Sequence, residues 1–363
     1  MCQEMQSIKA LDIDQLTTRL AELGEPGYRA RQILEWIYTR RVQGFSEMSN
    51  LPAALRQRLS NEFDNSPLVV VEKTGSSDTT QKFLFQLSDR QLVETVLIPA
   101  SPALYGGAAD RRTLCVSSQV GCAYGCKFCA SGLDGWKRNL DAGEIVEQLL
   151  AVEAASGERV NNIVFMGMGE PLANYENLMH AISIINAPWG GGIGARHITV
   201  STSGLVPRIM ELAEQPLQIR LAISLHGATD SVRDQIMPVN RKYPLADLLD
   251  ACDYFKARKK QKITFEYILI QGVNDSEDDA RELAKITRRL EAKVNVIPYN
   301  SVDGLAWERP SEADQDAFMA VLRRGAASAT IRREKGHDIA AACGQLRLRT
   351  ERKIPVAAEG CAN

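Results

Sequence analysis

Gly121-Cys-Ala-Tyr-Gly-Cys-Lys-Phe-Cys-Ala-Ser-Gly132 sets three cysteines, Cys122, Cys126 and Cys129, in a Cys-x3-Cys-x2-Cys run. Three thiolates suit a 4Fe-4S cubane: three irons are held and the fourth is left open to chelate a small molecule. Structural zinc is the plain alternative. Zinc usually takes four ligands from paired Cys-x2-Cys or Cys/His groups, and no second Cys-x2-Cys exists in this chain.

Outward from that loop, short β-rich runs alternate with helical stretches: Thr113-Leu-Cys-Val116, Asn162-Ile-Val-Phe-Met166, His197-Ile-Thr-Val-Ser201, Arg220-Leu-Ala-Ile-Ser-Leu225, Ile263-Thr-Phe-Glu-Tyr-Ile-Leu269 and Lys293-Val-Asn-Val-Ile297. Six strands alternating with helices predict an α/β fold with a parallel sheet, open or curled into a partial barrel. Before residue 100, Ile13 to Leu20, Arg29 to Tyr38 and Leu51 to Phe63 read as short amphipathic helices. Lys82-Phe-Leu-Phe-Gln-Leu87 and Leu92-Val-Glu-Thr-Val-Leu-Ile98 read as a β-hairpin bridging this helical module to the rest. The expected units are a helical accessory domain at 1–65, a hairpin linker at 66–100, the barrel at 101–345 and a basic tail at 346–363.

Parallel α/β sheets place their active sites at the carboxyl ends of the strands. There the chain has Gly167-Met-Gly-Glu-Pro171, Ser201-Thr-Ser-Gly204, Ser224-Leu-His226 and Pro298-Tyr-Asn300. Glycines admit a ligand close to the backbone, and Glu170 could accept hydrogen bonds from an ammonium group. Alone, the Gly-rich turn reads as an ordinary strand-to-helix turn and His226 as a structural histidine; repeated placement after successive strands favours one pocket. Cys115 and Cys343 fall outside the cluster spacing. Cys343 lies among small residues in Gly336-His-Asp-Ile-Ala-Ala-Ala-Cys-Gly-Gln-Leu346, a segment able to bring a thiolate over the pocket. Burial as small apolar residues would account for both cysteines equally well.

With 363 residues, 45% of them hydrophobic, the chain can fill a barrel core and a smaller domain. The net charge of -2 gives no global sign of nucleic-acid binding, so RNA affinity would come from local clusters. Candidates are Arg29, Arg31, Arg40 and Arg41; Lys256, Arg258, Lys259, Lys260 and Lys262; and Arg332, Arg333, Lys335, Arg347, Arg349, Arg352 and Lys353 around Cys343. Solvated helix faces are the bland reading of such runs. The N-terminus lacks a basic and apolar leader and no apolar run reaches membrane-spanning length, so a cytoplasmic protein without membrane contact is expected. Eight cysteines, three in a cluster motif, read as reduced thiols rather than a disulfide framework.

Nearly the whole chain resembles the RlmN-type adenine-C2 RNA methyltransferases of the radical S-adenosylmethionine (SAM) superfamily. The resemblance is carried by Glu94-Thr-Val-Leu-Ile-Pro99, Leu114-Cys-Val-Ser-Ser-Gln-Val-Gly-Cys122, the cluster loop, Met166-Gly-Met-Gly-Glu-Pro171, Ser201-Thr-Ser-Gly204, Ala222-Ile-Ser-Leu-His226, Ile297-Pro-Tyr-Asn300 and Ala342-Cys-Gly-Gln-Leu346. It implies a partial (βα)6 radical SAM barrel. It also implies a 4Fe-4S cluster on Cys122, Cys126 and Cys129, two SAM per turnover, and SAM contacts from Gly169, Glu170, Ser201, Ser224, Leu225, His226 and Asn300. Cys343 would accept the methyl group, Cys115 would resolve the resulting RNA adduct through a disulfide, and Glu94 would accept a proton. The implied partners are 23S ribosomal RNA, transfer RNA and an external, flavodoxin-like electron donor. Three alternatives stand beside this reading: a C8-methylating relative of antibiotic-resistance type, a radical SAM enzyme acting on protein or metabolite, and a zinc-stabilised RNA-binding protein without catalysis.

Overall fold

The computed structural model describes residues 5–76, 79–100, 110–133, 135–302, 304–325, 327–332, 346–347 and 350. Helices α1 (Ile13–Glu22), α2 (Tyr28–Leu34) and α3 (Ala53–Glu62) form the N-terminal module. Two-residue strands β1 (Gln6–Ser7) and β2 (Phe63–Asp64) pair in parallel and close it. Asp12 caps α1 in a box with Gln15, satisfying amide groups the first turn leaves free. The helix expected to continue to Tyr38 changes at Glu35 into a π-helical turn, Glu35–Thr39.

One ten-stranded sheet follows, in the order β14-β13-β12-β11-β10-β9-β6-β5-β4-β3. Its antiparallel end comprises β3 (Val69–Gly75), β4 (Gln81–Gln86) and β5 (Leu92–Pro99). The parallel part comprises β6 (Arg112–Cys115), β9 (Asn162–Phe165), β10 (Ile198–Thr202), β11 (Arg220–Ser224), β12 (Thr264–Leu269), β13 (Lys293–Pro298) and β14 (Ser328–Ile331). All six expected strands are present, with a seventh, β14, that the sequence reading missed. The hairpin is not a bridge between domains: β5 pairs antiparallel with β6, Val96 opposite Cys115, so the hairpin extends the barrel sheet itself.

Helices α4 (Ala142–Ser156), α5 (Tyr175–Asn186), α6 (Val206–Glu214), α7 (Asp230–Ile236), α8 (Leu245–Lys259), α9 (Glu277–Leu290) and α10 (Glu312–Arg324) connect the parallel strands. On β12, Phe265 and Tyr267 are fully buried, and Tyr267 stacks on Phe318 of α10 at 5.5 Å. Alternation along a strand then turns Glu266 to the opposite, inner face. The N-terminal module docks on α4 through a buried ion pair, Lys9 Nζ to Glu147 Oε2 at 2.6 Å, and through Arg41 to Glu153. His180 of α5 reaches the Ala10 carbonyl at 2.7 Å. Apolar residues of the module and of the barrel form one continuous core.

Candidate active site

The cysteine loop is held between two short strands, β7 (Gln119–Gly121) and β8 (Trp136–Asn139), which pair antiparallel. Cys122 N–H donates to Gly135 O at 3.0 Å, and Gly121 has φ +74°. A Cβ on Gly121 would lie 2.0 Å from that carbonyl oxygen, so the approach requires glycine. The far side of the loop is tied to α7, Lys127 N–H donating to Ile236 O at 2.9 Å.

Burial raises the pKa of all three thiols, that of Cys122 to about 12 and that of Cys126 well above its usual value. Cys122 and Cys126 are raised further by the negative charge of Cys129 and Glu170. The Ser131 and Gly132 amides near Cys129, and the Tyr124 amide near Cys122, act against that rise. Shielded thiols whose thiolates would repel one another ionise together when a cation binds them. No three His, Cys, Asp or Glu side chains among the described residues converge as a single ion requires. A cubane takes each thiolate on a different iron, and this donor set fits it.

Glu170 follows β9 and is buried. Its Oε2 accepts from Ser203 N–H and Oγ–H at 2.7 and 2.8 Å, and its Oε1 from Leu172 N–H at 3.1 Å. These bonds fix the carboxylate beside the cluster loop, while burial raises its pKa. Gly169 has φ +98°, and a Cβ there would lie 2.5 Å from the Gln119 side chain. The Gly167-to-Glu170 turn therefore packs directly on β7.

The Ser201 and Ser224 hydroxyls meet at 3.5 Å across β10 and β11. His226 has φ +55° and lies edge-on to Phe128 of the cysteine loop, ring centroids 4.8 Å apart. Its Nδ1 accepts from Ile268 N–H at 3.0 Å, and burial lowers its pKa to about 3. The ring is neutral with its proton on Nε2, a fixed donor. Both backbone polar groups of Leu225 are engaged, N–H to Glu266 O at 3.0 Å and O with Arg233. Asn300, just beyond β13, accepts from Arg309 at 3.2 Å.

Cys115 ends β6 on the inner face, and burial pushes its thiol up to about 12, against the opposing charges of Lys82 and Arg332. Arg332 follows the last strand of the parallel run and lies near enough to act on Cys115 at its first. Glu94 is 1% exposed; its Oε2 pairs with Lys82 at 2.7 Å and its Oε1 accepts from Arg347 N–H at 2.5 Å. Cys343 lies outside the described residues, but Arg347, four positions later, is thus anchored beside the strand that pairs with Cys115.

Among the described residues, Arg29, Arg40, Arg41, Lys256, Arg258, Lys259 and Arg347 of the basic clusters are engaged within the protein. Arg347, expected to face RNA, is 0% exposed. Lys256 pairs with Glu291, Arg258 with Glu214, and Lys259 donates to Gln215 O and Leu217 O, which favours the bland reading of that run. Arg333, Lys335, Arg349, Arg352 and Lys353 lie outside the described residues.

Sequence reasoning missed Lys82, Arg233 and Glu266. The expected hairpin carried a signal for the first, since its register sets Lys82 diagonal to Glu94 on one face. Charged residues on a helix or strand otherwise read as solvent-facing. Glu266 Oε1 accepts from Asn295 at 2.9 Å, and its Oε2 is buried without a hydrogen-bond partner among the described residues.

Comparison with known proteins agrees with this architecture. Residues 116–284 match the radical SAM superfamily, and residues 7–64 match the ribosomal RNA large subunit methyltransferase N-terminal domain. The chain is 55% identical to a protein of Akkermansia muciniphila named "Probable dual-specificity RNA methyltransferase RlmN", over 95% of this chain and 96% of that one. It is 46% identical to a protein of the same name from Staphylococcus saprophyticus, over 97% and 95%. The crystal structure of a radical SAM methyltransferase from Sphaerobacter thermophilus superposes with a TM-score of 0.88 at 44% identity, covering 94% of this chain and 98% of that one. The chain therefore belongs to the RlmN family of dual-specificity RNA methyltransferases, radical SAM enzymes that use a 4Fe-4S cluster and SAM.

Proposed function

We propose that this enzyme methylates C2 of adenine in 23S ribosomal RNA and in transfer RNA, by way of a methylated Cys343 and a Cys115–Cys343 disulfide that frees the product. The observation that carries this reading is the anchoring by Glu94 of Arg347, four positions after Cys343 in the chain, against the strand that pairs with Cys115. When bound, the cluster and two SAM supply the methyl group and a radical able to remove hydrogen from it. This chemistry is needed because adenine C2 is an sp2 carbon with a non-acidic hydrogen and does not attack a methyl donor as a nucleophile.

Cys122, Cys126 and Cys129 would hold three irons. Glu170 and Asn300, with Gly169, the Ser201 and Ser224 hydroxyls, Leu225 and the His226 Nε2–H, follow or end parallel strands, a set suited to the amine, hydroxyl and base groups of SAM. Cys343 would carry the methyl carbon to C2. The radical adduct at C2 would give up one electron, back to the cluster, together with the C2 proton, for which Glu94, oriented by Lys82, is the proposed acceptor. Cys115 as thiolate would then attack the sulfur of Cys343: the S–S bond forms, the sulfur–methylene bond breaks, and its electron pair goes to the methylene carbon, which takes a proton. Two electrons from an external reductant restore the thiols; a flavodoxin-like donor would serve both this step and the cluster. No helix among the described residues is long and apolar enough to cross a membrane, consistent with the cytoplasmic site proposed for the enzyme.

Anaerobic reaction of Cys115→Ala with RNA is expected to trap a covalent protein–RNA adduct on a denaturing gel, and Cys343→Ala to leave RNA unmodified and unattached. Turnover by Cys115→Ala at the wild-type rate would contradict the proposal.

A further inference from the structure

Arg233, on α7, is 0% exposed. Among the described residues no carboxylate lies within ion-pairing distance of it. Nε donates to Asn240 Oδ1 at 2.9 Å, Nη1 to Ser224 O at 3.3 Å and to Leu225 O, and Nη2 to Ser203 O at 3.1 Å; Nη1 also lies 3.7 Å from Met237 Sδ. Asp230 and Asp234 act on the guanidinium from beyond ion-pairing distance, each held by Asn240, which donates to them at 2.9 and 2.8 Å. Burying a cation without a directly paired anion is costly, and carbonyl dipoles offset the cost only in part.

On its other side the guanidinium faces the cysteine loop. Arg233 and Cys126 each feel the other's charge, Cys126 being the foremost electrostatic partner of the guanidinium. The same helix ends on the cluster loop, where Ile236 O accepts from Lys127 N–H. The guanidinium also joins the two strand ends that carry the ligand groups. Ser203, whose amide and hydroxyl hold Glu170, is tied to Ser224 and Leu225, which lead into His226.

We propose that Arg233 is an electrostatic positioning residue for the cluster: its buried charge stabilises the electron taken up from the external donor, making the cluster easier to reduce, while its fork holds the ends of β10 and β11 in place. This inference rests on the reading of Cys122, Cys126 and Cys129 as cluster ligands. Cluster potentials respond to nearby charge, whereas a purely structural arginine would leave the potential unmoved.

The test is an EPR-monitored redox titration, without SAM or RNA, of anaerobically reconstituted wild type, Arg233→Lys and Arg233→Gln, each assayed for iron and sulfide. At the poise where the wild-type cluster is half reduced, the reduced-to-oxidised ratio of Arg233→Gln is expected to fall about tenfold, while Arg233→Lys stays within about threefold of wild type. Wild-type behaviour of the glutamine variant, or an equal shift in the lysine variant, overturns the inference. Should Arg233→Gln fail to fold, Asp234→Asn, which removes a negative charge near Arg233, is expected to shift the potential the other way, and an unmoved titration counts against the inference. Wild-type protein that takes up no iron and sulfide overturns both the cluster reading and this inference; a loaded cluster with unmoved potentials overturns the inference alone.

Discussion

Cys115 is held as a thiol at neutral pH, because burial pushes its pKa up to about 12, yet the thiolate is the attacking species in disulfide exchange. Its ionised fraction rises tenfold per pH unit below that value, so release of the RNA adduct is expected to accelerate about tenfold per unit between roughly pH 7 and 9. Single-turnover decay of the adduct checks this; a flat profile would show that another step limits release. His226 sets a different pH dependence. Its folded pKa is lowered to about 3 from 6.5, so the unfolded chain takes up the proton first, and the contribution of His226 to stability is lost as pH falls from about 6.5 toward 3. His226→Asn is expected to flatten that part of the stability profile in urea titrations. Gly121 is constrained sterically: a Cβ 2.0 Å from Gly135 O and φ +74° lead to an expected loss of about 2 kcal/mol or more, and of bound iron, in Gly121→Ala. The cysteine spacing made the cluster legible from the sequence, because ligands close together in the chain are close in space. Lys82 left one signal, its place diagonal to Glu94 in the hairpin; Arg233 was not legible, because its role comes from burial that only the packed fold creates.

At the scale of elements, the strands of the parallel sheet were readable because each is an apolar run followed by a polar turn. The four-residue β14 and the three- and four-residue strands flanking the cysteine loop carry too little pattern to be recognised, and their pairing comes from neighbours already in place. The hairpin was visible but its role was not, since alternation does not reveal which strand lies next to β5. The N-terminal module shows the same limit: its helices were readable, whereas its docking on α4 depends on Lys9 and Glu147, residues 138 positions apart in the chain. Removing one partner leaves the other buried without a counter-charge, so Lys9→Met is expected to cost about 3–5 kcal/mol in chemical denaturation, with much of the loss recovered in Lys9→Met/Glu147→Leu. A double variant no more stable than the single one would show that the pair is not the dominant contact.

Across the whole molecule, Arg332 at the end of β14 lies within the electrostatic reach of Cys115 on β6, and Glu94 fixes Arg347 near the same strand. Arg347, Glu94 and Cys115 thus lie on or beside the adjacent strands β5 and β6. The RNA surface was the least legible part of the sequence, because basic runs look alike whether they face solvent, pair with acids or, like Arg347, are buried. The most direct test of the account is mass spectrometry of nucleosides from unmodified ribosomal and transfer RNA, each incubated anaerobically with reconstituted protein, SAM and a reductant. The expected result is 2-methyladenosine in both RNAs; 8-methyladenosine, or no methylation with an intact cluster, would contradict it.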